Sequence, residues 1–155
     1  VHEGIDFYSH TVGVPVNRQT PVRAVADGII IRAMIDYQPL TAAQAETWNA
    51  TSRRLGYTPP EVLDGYRGRQ IWIDHGNGLV SRYAHLGSIE PGIAEGARVM
   101  RGQVIAYVGN SGTPASVRSQ TEDVHLHLEL WVGDHFLGQF LRPIEAREWL
   151  EKILR

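Results

Sequence analysis

Val124-His125-Leu126-His127-Leu128-Glu129-Leu130 alternates apolar and polar residues without a break. Successive side chains of a strand point to opposite faces, so Val124, Leu126, Leu128 and Leu130 share one face while His125, His127 and Glu129 share the other. Two imidazoles and a carboxylate are therefore aimed in one direction from a continuous apolar backing. Taken alone, the pattern also describes a half-buried strand with a solvated polar face.

The surrounding sequence repeats the signal. Val22 to Val25, Gly28 to Ala33, Gln70 to Asp74, Leu79 to Tyr83 and Gln103 to Val108 are short runs rich in β-branched and aromatic residues, punctuated by glycine. The expected class is mainly β. Gly76-Asn77-Gly78, between Ile71-Trp72-Ile73 and Leu79-Val80, predicts a hairpin turn of residues that tolerate positive φ, and Gly133-Asp134 predicts another. Two segments break the pattern. Thr41 to Leu55 reads as a helix: Thr41 and Gln44 form a capping box, Ala45, Trp48, Ser52 and Leu55 share a face, and Gly56 ends it. Thr58-Pro59-Pro60 reads as a loop, so that about 36–69 forms an insertion between strands. Pro143 opens a C-terminal helix whose Ala146, Trp149, Leu150, Ile153 and Leu154 make an apolar stripe against the β core.

At 155 residues the chain fits one domain, 1–155, by the usual range of roughly 100–200 residues. A formal charge of -2 carries no basic excess for nucleic acid, and no apolar run approaches the roughly 18 residues of a membrane span. The chain opens at Val1 rather than methionine, which reads as a fragment or processed form, so the absence of a targeting segment here decides nothing. Without cysteine there is no disulfide, thiolate nucleophile or Cys-ligated zinc, so any metal must be held by His and carboxylate.

His2-Glu3-Gly4-Ile5-Asp6 supplies that pair, and Gly4 argues for a bend bringing both side chains to one point. Neither this spacing nor His125-x-His127 is specific alone. Together they offer an imidazole-and-carboxylate set from both ends of the chain. A catalytic zinc takes three protein ligands and leaves a position open; two neutral His and one Asp would leave a net charge near +1, so that the ion stays a Lewis acid able to bring its water to a pKa of about 7.

In order along the chain, His2-x-x-x-Asp6, Tyr83-Ala84-His85-Leu86 and His125-x-His127-x-Glu129 resemble the M23 peptidases of the lysostaphin or LytM type. Supporting matches are Thr20-Pro21-Val22-Arg23-Ala24 with Asp27-Gly28, Asp74-His75-Gly76-Asn77-Gly78, and Arg101-Gly102-Gln103-Val104-Ile105 followed by Gly109-Asn110-Ser111-Gly112. The resemblance implies an antiparallel β-sandwich-like fold of the duplicated hybrid motif type, with a groove across one sheet. It implies one Zn2+ per chain on His2, Asp6 and His127, with His85 and His125 off the metal beside the activated water as the working histidines. Glu129 then orients a neighbouring ring, since ligand imidazoles donate their other N–H to an acceptor. The implied activity is a zinc endopeptidase cutting stem or cross-bridge peptides of peptidoglycan in an extracytoplasmic location. Two departures stand out: Asp123-Val124 replaces the Gly-Pro common before the His pair, and the 36–69 segment is long. That segment, with Tyr8 to Gln19 and Asn110 to Asp123, is expected to wall the groove.

Alternatives are a LytM-type regulatory module that acts on partner hydrolases after losing its metal ligands, and a zinc amidase at the sugar–peptide junction. The first expects missing ligands, which this chain retains. A biotinyl or lipoyl carrier needs a lysine at a hairpin, and the single lysine is Lys152 in the terminal helix. His10, His75 and His135 are assigned to structure or surface, and Trp72 and Trp131 to filling or flanking the core.

Overall fold

The computed structural model describes residues 2–153. Numbered in chain order, the strands are β1 (Ile5–Phe7), β2 (Pro21–Arg23), β3 (Gly28–Ala33), β4 (Ile71–Asp74), β5 (Leu79–Ala84), β6 (Leu86–Ile89), β7 (Arg98–Val99), β8 (Val104–Val108), β9 (Leu126–Val132) and β10 (His135–Phe136). The helices are α1 (Ser9–Val12), α2 (Ala42–Leu55), α3 (Pro60–Arg67) and α4 (Pro143–Ile153), with a 3-10 turn at Pro114–Val117. One antiparallel sheet runs β1-β9-β5-β4-β3-β7, with β10 also paired to β9; the other runs β2-β8-β6. The expected mainly β, two-sheet architecture is what the chain adopts. Short strands such as β1, β6 and β7 carry too few residues to announce themselves by alternation.

Ile30, Ile71, Ile73, Leu128 and Leu130 from the larger sheet belong to the same buried cluster as Val22, Ile105 and Val108 from the smaller one. Removing this apolar surface from water is the main favourable contribution to the fold. β9 lies inside the larger sheet, between β1 and β5, and its apolar face points into this core. Its other face is not the solvated one that alternation by itself allows: His125, His127 and Glu129 are all buried.

The segment between β3 and β4 is responsible for part of that cover. As expected, Thr41 caps α2 by accepting from the Gln44 N–H (3.2 Å) while the Gln44 side chain accepts from the Thr41 N–H (3.0 Å), and Gly56 ends the helix with φ 75°. Leu55, placed on the packed face, is exposed, and the buried residue of the helix is Ala45 near its start. The loop read at Pro59-Pro60 is in fact the start of α3. Pro60 occupies the first turn, where a missing N–H costs nothing. α2 braces α3 through Trp48, which packs against Gly65 and meets Tyr66 edge-on at 5.2 Å. α3 is fastened to β3 by a bidentate pair from Arg32 to Asp64 at 2.7 and 2.8 Å.

Both predicted hairpins form. β4 and β5 are joined through Gly76, Asn77 and Gly78, all at positive φ, and β9 turns into β10 at Gly133. In α4, Leu150 packs on the core, whereas Trp149 is 52 % exposed and does not belong to the packed stripe; Lys152 lies over its ring. Leu154 and the Ile153 side chain, assigned to that stripe, lie outside the described residues. Trp72 and Trp131 stand on the face of the sheet away from the core and sandwich Arg82, at 4.0 and 4.2 Å from their ring centroids. Among the described residues no helix is long and apolar enough to cross a membrane.

β6 and β8 pass so closely that a side chain on Gly109 would strike the Gly87 backbone and stand 2.9 Å from the His85 carbonyl. Gly109→Ala is expected to cost about 2–4 kcal/mol through forced separation of these backbones. Urea unfolding checks this: the midpoint should fall with an unchanged m-value.

Candidate active site

Antiparallel pairing of β1 with β9 sets Asp6 opposite His127. The approach depends on Gly4, where a Cβ would stand 2.5 Å from the Leu128 carbonyl oxygen and 2.9 Å from the His127 ring. Asp6 Oδ1 lies 2.7 Å from His127 Nδ1, and Asp6 Oδ2 lies 3.1 Å from His2 Nε2. The other ring nitrogen of His127, Nε2, faces Glu129 Oε1 at 3.2 Å. His2, Asp6 and His127 thus offer ligand atoms all within 4.8 Å of one another, a compact imidazole-and-carboxylate set of the kind borderline-soft divalent metals take.

The electrostatics of this group follow from partial burial with close partners. Burial works to raise the Asp6 carboxyl, but hydrogen bonds from His127 and His2 outweigh it and hold the group well below the usual carboxylate range. Burial likewise disfavours the charged His127 ring; the bonds to Asp6 and Glu129 prevail and push it up to about 9. Glu129, 1 % exposed, is opposed by burial yet kept low by His127, by Arg67 and by the Trp131 indole N–H, which donates at 2.6 Å.

His85 and His125 complete the cluster, their ring centroids 4.6 Å apart, and His85 lies 5.7 Å from His127. Each ring has its Nδ1 against a backbone carbonyl, His85 against Ser111 (2.9 Å) and His125 against Asp123 (2.7 Å). With Nδ1–H donated, the Nε2 lone pair of each is left for the cavity. Burial, together with the neighbouring His125, depresses His85 to about 3. His85 has φ 59°, and Asp123 has φ 55° where the resemblance leads one to expect glycine. Left-handed non-glycine residues carry strain, least for Asp, and such strain gathers at working sites.

Tyr8, expected with the residues up to Gln19 to wall the groove, does not line the cavity and packs instead on one of the paired rings. Its ring stacks on His125 at 4.2 Å and 21°, and its hydroxyl is pushed up to about 12 by burial and by the charges of Asp123 and Asp6. Two residues beyond Asp6 is the spacing that could have suggested it. Arg67 is a site residue that sequence reasoning missed, because a single arginine between β3 and β4 carries no signal. It donates from Nε to Glu129 Oε1 at 2.6 Å and from Nη2 to Glu3 Oε2 at 2.6 Å.

The cluster opens into a cavity of about 350 Å³. Leu63 and Tyr66 of α3 form part of its wall, and Gly112, Thr113, Pro114 and Asp123 another part. The segment between β3 and β4 therefore reaches the site through α3, with α2 behind it. Of the other histidines, His75 bonds the Asp27 carbonyl and Ser81 Oγ, both at 2.7 Å, and His135 meets Gln139 on the surface, while exposed His10 stacks on Tyr8 at 5.1 Å.

Residues 1–138 match Peptidase family M23. Over 146 residues the chain is 29% identical to the DD-carboxypeptidase/endopeptidase Mpg of Neisseria meningitidis serogroup B, covering 94% of this chain and 23% of that protein. It is 39% identical over 81 residues to the peptidoglycan DD-endopeptidase ShyA of Vibrio cholerae serotype O1, covering 52% of this chain and 15% of that protein. A zinc containing peptidase from Vibrio cholerae superposes with a TM-score of 0.52 at 25% identity, over 87% of this chain and 28% of that one. The chain thus spans less than a quarter of the length of the curated relatives it matches.

The two shifted imidazoles act on stability in opposite directions. His127, at about 9 against an ordinary 6.5, contributes stability that is complete below pH 6.5 and lost as pH rises to 9. His85, at about 3, is buried neutral, so its burial opposes folding increasingly as pH falls below 6.5. With chelator present, the melting temperature is expected to peak near pH 6.5, and Asp6→Asn should flatten the alkaline limb. A melting temperature that keeps rising from pH 6.5 to 9 contradicts the expectation.

Proposed function

The chain belongs to peptidase family M23, and on that premise we propose that it is a zinc-dependent endopeptidase hydrolysing peptide bonds in the stems or cross-links of peptidoglycan, outside the cytoplasm. The observation that carries this reading is the convergence of His2, Asp6 and His127 beside the paired rings of His85 and His125 in one cavity. His2 would hold the ion through Nε2, His127 through Nδ1 and Asp6 through its carboxylate. When bound, zinc supplies Lewis acidity to the scissile carbonyl and to water.

The chain's own groups supply the rest. Glu129 accepts the Nε2–H of His127, which fixes the ring's tautomer and turns Nδ1 toward Asp6. His85 and His125, tied at Nδ1 by carbonyls, present Nε2 as proton acceptors. One of the two takes the proton of the attacking water, and an imidazolium at this place stabilises the oxyanion and returns a proton to the departing amine. Tyr8, packed flat on His125, keeps that ring from swinging out and shields it from solvent. Leu63, Tyr66 and Pro114 give the cavity an apolar wall suited to the short aliphatic side chains of stem peptides.

Purified peptidoglycan and defined muropeptides, digested with and without chelator and followed by mass spectrometry, test the reading. Cleavage within the peptide, lost with chelator and restored by zinc, is expected; release of intact stems from the sugar would mark an amidase, and no cleavage would defeat the hydrolase. His85→Ala and His125→Ala should each lower kcat by about 10²–10⁴-fold while leaving zinc content intact. Because His127 of the metal-free protein holds a proton up to about 9, zinc uptake at pH 7 should release protons, measurable by calorimetry in buffers of different ionisation enthalpy.

A further inference from the structure

We propose that Arg67 is a positioning residue of the hydrolytic site and that α3 serves as its carrier; the inference rests on the hydrolase reading above. Arg67 is 7 % exposed, and its guanidinium is committed to two carboxylates. It donates to Glu129 Oε1 (2.6 Å), Glu129 Oε2 (3.2 Å) and Glu3 Oε2 (2.6 Å). Glu129 in turn meets His127 Nε2, so Arg67 fixes the carboxylate that orients a proposed zinc ligand. Without Arg67, the guanidinium left to this buried acid is that of Arg82, at 3.4 Å.

The main chain of the same residue acts on the opposite wall of the site. The Arg67 carbonyl accepts the His85 N–H at 2.9 Å, Gly68 packs against the Ser111 and Gly112 backbone, and the Arg69 N–H donates to Ser111 Oγ at 2.9 Å. Ser111 is the residue whose carbonyl holds His85 Nδ1. Three consecutive residues at the end of the segment between β3 and β4 therefore fix the orienting acid of His127, the backbone of a strained histidine and the loop that sets that histidine's tautomer. α3 reaches this place because Asp64, three residues before Arg67, grips Arg32, and because Trp48 supports Gly65 from behind. Leu63, Tyr66 and Arg67 all line the cavity, and the Arg67 guanidinium is engaged there by Glu3 and Glu129. Its influence on the reaction runs through Glu129 rather than through substrate.

The test uses the full chain with Arg67→Met, Arg67→Lys, Glu129→Gln and the double variant Arg67→Met/Glu129→Gln. Circular dichroism and thermal unfolding select the variants that fold. Zinc affinity, by competition with a chromophoric chelator, is expected to weaken about 10–100-fold in Arg67→Met, with partial recovery in Arg67→Lys, since an ammonium restores charge without the two-carboxylate fork. At saturating zinc, kcat on a defined muropeptide should fall about 10–100-fold with KM within about twofold. The double variant should be no worse than Glu129→Gln alone, because the side chain acts through that acid. Wild-type affinity and kcat in Arg67→Met, a loss confined to KM, or additive losses in the double variant would each overturn the proposal. If Arg67→Met does not fold, Arg67→Lys decides: reduced affinity and kcat support the inference, and wild-type values reject it. A wild-type chain that binds zinc yet cuts no peptidoglycan refutes the hydrolase reading, and the affinity comparison then judges Arg67 by itself.

Discussion

The register of β1 against β9 is the constraint on which the site depends. Ile5, Asp6 and Phe7 stand opposite Leu128, His127 and Leu126. Side chains alternate with a period of two, so a slip of one residue would put Ile5 against His127 and turn the Asp6 carboxylate into the core. What prevents the slip is apolar: Phe7, Leu126 and Leu128 all pack on the hydrophobic cluster between the sheets. Contacts on one face thus determine where the donors stand on the other. Gly4 then lets the chain pass over the His127 ring to bring His2 round to the far side of Asp6.

Burying Glu129, Arg67 and His127 together is not a cheap way to stabilise a fold. Each charge taken from water costs several kcal/mol, returned only when every partner is in place. Glu129 and Arg67 meet that condition, Glu129 through Arg67, Arg82, His127 and the Trp131 indole, and Arg67 through Glu3 and Glu129, while the neighbouring Arg82 keeps a buried Nε without a partner. The effect of the network is orientational. A bidentate guanidinium and an indole donor hold the carboxylate at a defined angle, and the carboxylate holds the imidazole. Strain is accepted in the same neighbourhood, where His85 and Asp123 are both left-handed and both tied into the cluster, one through its own ring and the other through its carbonyl.

The segment between β3 and β4 changes what the polar face of β9 can be. An alternating strand on the outside of a sheet ordinarily shows its polar side to water; here α3 crosses that side, anchored to β3 through Asp64 and to β9 through Arg67. The result is a cavity rather than an open sheet surface, with Tyr66 and Leu63 facing the loop at Gly112 to Pro114. Lower local dielectric in such a place strengthens every charge–dipole contact within it.

Much was determined by sequence alone, because the signals concerned are local. Alternation aims His125, His127 and Glu129 together, Thr41 and Gln44 cap α2 through bonds three residues apart, and Gly76-Asn77-Gly78 supplies the positive φ a tight turn needs. The resemblance carried by His2, Asp6, His85, His125 and His127 pointed to residues that the fold does bring into one cluster. Tertiary structure decided what depends on partners far along the chain. Pro59-Pro60 looks like a break until Pro60 is seen in the first turn of a helix, Trp149 looks like core until α4 is seen to rest on Leu150, and Arg67 is an ordinary cation until it meets Glu129 sixty-two residues later. Periodicity and capping report short-range sterics, which every peptide of the same sequence feels; the worth of a buried charge is set by which distant groups the completed sheet places beside it.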